Sequence, residues 1–315
     1  MKKLTELPYE YSSNHTVNFL FLILALLVPT PSEALTFDLP KHGNVIGHVT
    51  QATVEYGDSL STIGRQYGIG GYEMVEANPG VSYADPTPGS TVTIPSQFIL
   101  PSGPKKDIVI NLAEMRLYFY HPDGNKVSTY PIGIGKDGWL TPLGNTSITR
   151  KRIHPTWVVP DSILRNRMAH GNPTPPVVPP GPENPLGDYA MNLSFKNIVI
   201  HGSPFREGIG IRKSHGCINM LNEDIAEIYP HVNVGTSVRI ISEPVKIGMM
   251  NNKLYLEAHV PLQEALYNDG TPLRNKFQNL LKNTSYNSYK VRWSEVRMHE
   301  DEANGMPQLI GSLED

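Results

Sequence analysis

The chain has 315 residues, of which 39% are apolar and 18% charged, with a formal net charge of −3. That is enough for two compact domains, or one large domain with attachments, and the composition is that of a globular protein. No basic block or basic helix face stands out, which argues against a nucleic-acid partner, and 28 prolines with 27 glycines favour a loop-rich, β-heavy chain over a helical bundle.

Lys2 and Lys3 precede a polar stretch, an apolar run from Val17 to Val28, and the small residues Ser32 and Ala34. This pattern predicts a secretory signal over residues 1–34, cut between Ala34 and Leu35. The alternative is an uncleaved anchor, although the run falls short of the about 20 residues of a bilayer span. No later segment is apolar enough to span a membrane. No cysteine lies near the cut, which excludes lipoprotein anchoring. The single cysteine, Cys217, permits no internal disulfide.

Residues 53–101 have a β-α-α-β pattern. Residues 52–56 alternate as a strand, and Asp58 or Ser59 is placed to cap a helix over Leu60, Ile63 and Tyr67. A second helix is expected over 72–77, stopped by Asn78, Pro79 and Gly80, with a closing strand at 91–95. Residues 101–106 read as a linker. From Asp107 the chain turns strongly β, with three strands before Gly135 and a hairpin signal at Pro122-Asp123-Gly124-Asn125. One or two strands follow in 145–160. Residues 165–187 are too rich in proline and glycine for a regular element and read either as a functional lid or as a surface insertion. Further strands are expected at 197–202, 216–221 and 235–242, and a helix capped by Asn222 over 223–232. Beyond Ser242, a strand over 253–260 and helices over 271–283 and 286–301 are expected.

Cys217 lies in "IVIHGSPFREGIGIRKSHGCINM", with His215 two residues before it and His201 sixteen before it. Thiolate is the nucleophilic form of cysteine, and an adjacent imidazole can take the proton and hold an ion pair. On an extended segment, His215 and Cys217 point to the same side. A strand, a turn and a return strand would bring His201 opposite Cys217. Three readings compete: a cysteine nucleophile with a histidine base, a zinc site of His201, His215 and Cys217 whose usual spacings are missing, and a buried structural cysteine. Gly216 favours the first, because it lets a substrate carbonyl approach backbone N–H groups at Gly216 and Cys217.

Two family resemblances follow. Gly57-Asp58-Ser59-Leu60, Asn78-Pro79, Gly89 and Ile94-Pro95 resemble the LysM module, which binds N-acetylglucosamine-type glycans. His201-Gly202, then Ser214-His215-Gly216-Cys217-Ile218-Asn219, resembles the signature of L,D-transpeptidases of the YkuD type. Residues 130–135, Thr141-Pro142-Leu143-Gly144, Pro155-Thr156-Trp157 and Gly208-Ile209-Gly210 before Arg212 agree with it.

The resemblance implies a mostly β fold: a YkuD-type β-sandwich or barrel-like catalytic domain with few helices over 105–242. A small LysM-like α+β module over 46–101 precedes it, and a C-terminal extension over 243–315 follows. It also implies roles. Cys217 would be the nucleophile and His201 the base, oriented by the carbonyl of Gly202. His215, Gly216 and Cys217 would supply oxyanion N–H groups. Arg212, Asn219, Ser203 and Ser214 would organise or contact substrate. No metal and no cofactor is required. The implied partners are peptidoglycan stems and glycan strands, with an outer-membrane lipoprotein or a second stem as acyl acceptor, in the periplasm. Hydrolysis by the same site and a non-catalytic wall-binding role are the rival readings.

Overall fold

The computed structural model describes residues 35–262 and 289–313. The expected signal and the expected helix over 271–283 lie outside the described residues. Among the described residues, no helix is long and apolar enough to cross a membrane.

The N-terminal part contains β1 (Leu35–Asp38), β2 (Val45–Gly47), β3 (Thr50–Thr53), α1 (Leu60–Gln66), α2 (Gly71–Ala77), β4 (Thr91–Ile94) and β5 (Gln97–Ile99). Ser59 caps α1 as its hydroxyl pattern suggests. The Thr62 N–H donates to Ser59 Oγ at 3.1 Å, and the Ser59 N–H donates back to Thr62 Oγ1 at 2.8 Å. β3 pairs antiparallel with β4, β2 pairs with β5, and Leu60, Ile63, Met74, Val92 and Ile94 fill the space between helices and strands. β3 ends at Thr53, so the strand lies slightly earlier than the expected 52–56.

The central part comprises β6 (Ile108–Asn111), β7 (Arg116–Tyr120), β8 (Lys126–Pro131), β9 (Ile134–Gly135), β10 (Gly144–Ile153), β11 (Trp157–Val158), α3 (Asp161–Ala169), β12 (Val177–Val178), β13 (Tyr189–Leu193), β14 (Val199–Ser203), β15 (Arg212–Ser214), β16 (Ile218–Leu221), α4 (Asn222–Ile228) and β17 (Ser237–Ile241). Nine strands form one curled sheet in the order β1-β8-β7-β6-β17-β10-β13-β14-β16. The long strand β10 serves both halves. Its first residues pair with β17 and its last with β13, with a register break between Ile148 and Arg150. A break of this kind bends a strand and sharpens its twist, which curls the sheet around one core. That core contains Ile110, Leu117, Ile132, Met191, Ile200, Ile218, Met220 and Val238.

Two expectations are corrected here. Residues 165–187 were expected to be irregular, yet their start continues α3, and Val177–Val178 pairs with β11. The prolines cluster after Gly171, so the helix ends before they begin. α4 starts at Asn222 itself, with Leu221 as its cap. The Asn222 side chain instead accepts the Asp188 N–H at 3.2 Å.

The C-terminal part is a four-stranded sheet, β18 (Val245–Met250), β19 (Lys253–Ala258), β21 (Gln308–Leu313) and β20 (Tyr289–Val291) in spatial order, with α5 (Trp293–Glu302) packed on it. The helix expected over 286–301 is therefore a strand followed by a helix. Tyr289 and Val291 are needed at the sheet edge, and the helical period starts only at Trp293.

The N-terminal module is clamped to the central sheet. Arg116 of β7, fully buried, donates to Glu73 of α2 through Nε (2.7 Å) and a terminal nitrogen (2.8 Å), and Glu73 also accepts the Gly70 N–H at 2.7 Å. The Tyr72 N–H donates to Gly210 O at 3.0 Å. Gly210 has φ +71°, and a Cβ there would lie 2.5 Å from Gly71 N, so only glycine lets the two backbones meet. A second buried network ties in the C-terminal sheet. His259 bridges Glu76 of α2 (3.0 Å) and Glu257 (2.9 Å), while Lys246 reaches Glu114 (2.8 Å) and Glu257 (2.7 Å).

Candidate active site

β14 and β16 pair in parallel, with His201 opposite Asn219 and Ile200 opposite Ile218. The expected hairpin-like return is therefore corrected: the chain crosses over through β15 and re-enters in the same direction. Alternation then decides the faces. Ile200, Ile218 and Met220 enter the core, whereas His201, Asn219 and Cys217, two residues before Asn219, share the opposite face.

His201 is buried, and its Nδ1 lies 2.6 Å from Gly202 O. A carbonyl only accepts, so Nδ1 carries the proton and Nε2 keeps its lone pair. Burial pushes the imidazole pKa down to about 4; the backbone of Gly202 opposes this, and the charge of Arg152 adds to it. Cys217 is half-buried, and its S–H donates to Asn197 O at 3.6 Å. Burial pushes the thiol pKa up, opposed by the Val199 backbone. Both shifts favour a neutral thiol beside a neutral imidazole, not the ion pair that the residue types alone suggested.

Ser214 shapes the loop before the cysteine. Its hydroxyl donates to Cys217 O at 2.6 Å and accepts the Gly216 N–H at 3.1 Å. Gly216 has φ +99°, a conformation that L side chains rarely adopt. His215 stacks edge-on against Trp139, with ring centroids 4.6 Å apart. Its pKa is lowered to about 4 by burial and by the charges of Lys136 and Arg167. Arg212 donates from Nε to Gly135 O at 3.1 Å and pairs with Asp137 at 3.2 Å, so it staples β15 to β9. The Ser203 hydroxyl is absorbed in a local turn with Phe205. Asn219 exchanges both backbone bonds with Gly133, and its Oδ1 is buried without a partner.

The structure adds residues that motif reading named without a role or passed over. Thr141 accepts the Gly135 N–H and donates to Gly216 O, both at 3.0 Å, so it holds the cysteine loop from beneath. Asn184 is fully buried and donates to Pro155 O at 2.7 Å, pinning the proline-rich segment. The Arg167 guanidinium lies 5.6 Å from the Trp157 ring centroid, which anchors α3 to β11. An asparagine set among prolines is the one sequence signal that could have pointed to Asn184.

The zinc alternative has no support in the geometry. Among the described residues, the metal-ligand side chains whose donor atoms converge are Glu114, Glu257 and His259. Their charge is already met by the Lys246 ammonium.

Comparison with known proteins shows which family the chain matches. Residues 105–240 match the YkuD family model, the L,D-transpeptidase catalytic domain, and residues 52–95 match the LysM domain. The chain is 38% identical over 299 residues to the Escherichia coli protein named "Probable L,D-transpeptidase YcfS", covering 92% of this chain and 93% of that protein.

The chain belongs to the L,D-transpeptidase family.

It is 42% identical over 251 residues to Escherichia coli "Probable L,D-transpeptidase ErfK/SrfK", covering 78% of this chain and 81% of the relative. Escherichia coli "Probable L,D-transpeptidase YbiS" matches at 41% over 236 residues, covering 73% and 77%. This L,D-transpeptidase thus combines the catalytic sheet with a LysM domain that is packed against it.

Proposed function

We propose that this enzyme acylates Cys217 with peptidoglycan tetrapeptide stems and passes the acyl group to an amine, in the periplasm. The observation that carries this reading is the shared face of His201 and Cys217, with the His201 tautomer fixed by Gly202 O and its neutral form favoured by burial.

The thiol turns from Asn197 O and gives its proton to His201 Nε2 as sulfur attacks the carbonyl of the L-centre of meso-diaminopimelate. Negative charge collects on the carbonyl oxygen. Gly216 N–H is already donated to Ser214, so Gly216 shapes the loop, and the oxyanion falls to the N–H groups of His215 and Cys217. The C–N bond then breaks, His201 returns the proton to the departing amine, D-alanine leaves, and a thioester remains. An amine, from a protein lysine or a second stem, next attacks the thioester and releases the thiolate, which takes back a proton through His201. No step calls for a metal or cofactor. The segment over 165–187, pinned by Asn184, serves as a lid that limits water, and the LysM domain contacts the glycan.

Intact-protein mass spectrometry tests this. With purified disaccharide tetrapeptide, an adduct equal to the stem minus D-alanine should form, be missing in Cys217→Ala, and resolve to an amide when an amine is added. Resolution only by water would make the enzyme a carboxypeptidase. No adduct from folded protein would overturn the reading.

A further inference from the structure

The strand pairing extends the catalytic face beyond β14. Arg152 of β10 stands opposite Ala190 of β13, and Ala190 stands opposite His201. Residues paired across strands project from the same side of a sheet. Arg152, Ala190, His201 and Asn219 therefore form one row. Arg152 lies two strand spacings, about 10 Å, from the histidine, with the small, fully buried Ala190 between them. The neighbouring row contains Arg150, Asn192 and Val199, the last beside Cys217. The register break after Ile148 sends Ile148 into the core and both arginines to the catalytic side.

Besides Asn219 Oδ1, two polar atoms on these rows lack partners. Arg152 Nε and Asn192 Oδ1 are each buried with no hydrogen bond, although a terminal nitrogen of Arg152 donates to Thr156 O at 3.1 Å. Buried polar atoms without partners are costly and rare in folded proteins, and a guanidinium matches a carboxylate through paired donors. Arg152 is also close enough for its charge to act on His201.

We infer that Arg152, with Asn192 beside it, forms a subsite for a carboxylate of the acyl-donor stem, and that it sets donor specificity and does not take part in the chemistry. The inference rests on the function proposed above. The carboxylate is either that of the departing D-alanine or that on the diaminopimelate side chain. Arg152 Nε and its free terminal N–H groups donate to it, while Asn192 Oδ1 accepts an amide N–H of the same stem.

The test compares wild type, Arg152→Gln and Arg152→Lys on three donors: the free-acid tetrapeptide, the analogue ending in D-alaninamide, and the analogue amidated on the diaminopimelate side chain. On the free acid, Arg152→Gln should lower kcat/KM about 10- to 100-fold, mainly through KM, and Arg152→Lys should recover part of the loss. On one amidated donor the deficit should vanish, which identifies the carboxylate. Wild type should itself discriminate against that donor by a similar factor, so the test does not depend on variant stability. Equal rates of wild type on all three donors, or an equal loss by Arg152→Gln on all three, would overturn the subsite. An adduct on wild-type Cys217 with any donor leaves the proposed function standing in either case.

Discussion

Replacing Glu73 by Gln isolates the clamp between the LysM domain and the catalytic sheet. Glu73 accepts three hydrogen bonds, two from Arg116 and one from the Gly70 N–H. Arg116 is fully buried, with Thr129 Oγ1 at 3.3 Å, Gly68 O at 3.0 Å and the face of Phe98 at 4.3 Å as its other neighbours. Gln has nearly the same volume, so no cavity opens. What changes is charge: the guanidinium loses its counterion, and an amide NH₂ is placed against donors. Breaking one partner of a buried pair costs about 3–5 kcal/mol. For a unit of this size, each kcal/mol shifts Tm by about 2–4 °C, so a fall of about 6–20 °C is expected. Differential scanning calorimetry measures it, and the double variant Glu73→Leu with Arg116→Met should recover much of the loss, because an apolar pair of similar volume leaves no unpaired charge. A Tm within about 2 °C of wild type for Glu73→Gln would refute the claim that this ion pair holds the domains together. The same reasoning predicts that excising residues 53–101 destabilises the catalytic sheet and abolishes turnover even of soluble muropeptides. The contact of Tyr72 with Gly210, two residues before Arg212, carries this prediction.

Three further predictions concern the site and its supports. His201 has its pKa lowered to about 4, so it is neutral above that pH, and the acid limb of kcat/KM should fall near pH 4 and not near 6.5; a limb at 6–7 that survives His215→Gln would contradict this assignment. His259 is raised to about 10 by Glu76 and Glu257 despite its burial; its stabilisation is complete below about pH 6.5 and drains away as pH rises towards 10, so Tm should drop across that window and the drop should flatten in His259→Gln. Thr141→Val removes the support beneath Gly216 while keeping side-chain volume; it should cost about 1–3 kcal/mol of stability by thermal melting and reduce the acylation rate, and wild-type acylation by mass spectrometry would show that the loop needs no such support.

Much of this protein is legible in one dimension. The Ser59 cap, the hairpin at 122–125, the strand ending in His201-Gly202 and the run from Ser214 to Asn219 are local patterns, set by side-chain type and spacing along the chain. So is the proposal of Cys217 as nucleophile, since the sequence has no other thiol. What local pattern could not supply is pairing. Register and direction between distant strands depend on which apolar faces bury together, and a parallel return looks the same in sequence as an antiparallel one. Hence the parallel pairing of β14 with β16, the row from Arg152 through Ala190 to His201, and the break in β10 emerged only from the folded sheet. Burial decided the electrostatics in the same way. A cysteine next to histidines suggests an ion pair in water, but desolvation penalises both charges and leaves a neutral pair. Glu73 and Arg116, 43 residues apart, read as ordinary surface charges until packing buries them together and removes every partner but each other and a few backbone and hydroxyl groups.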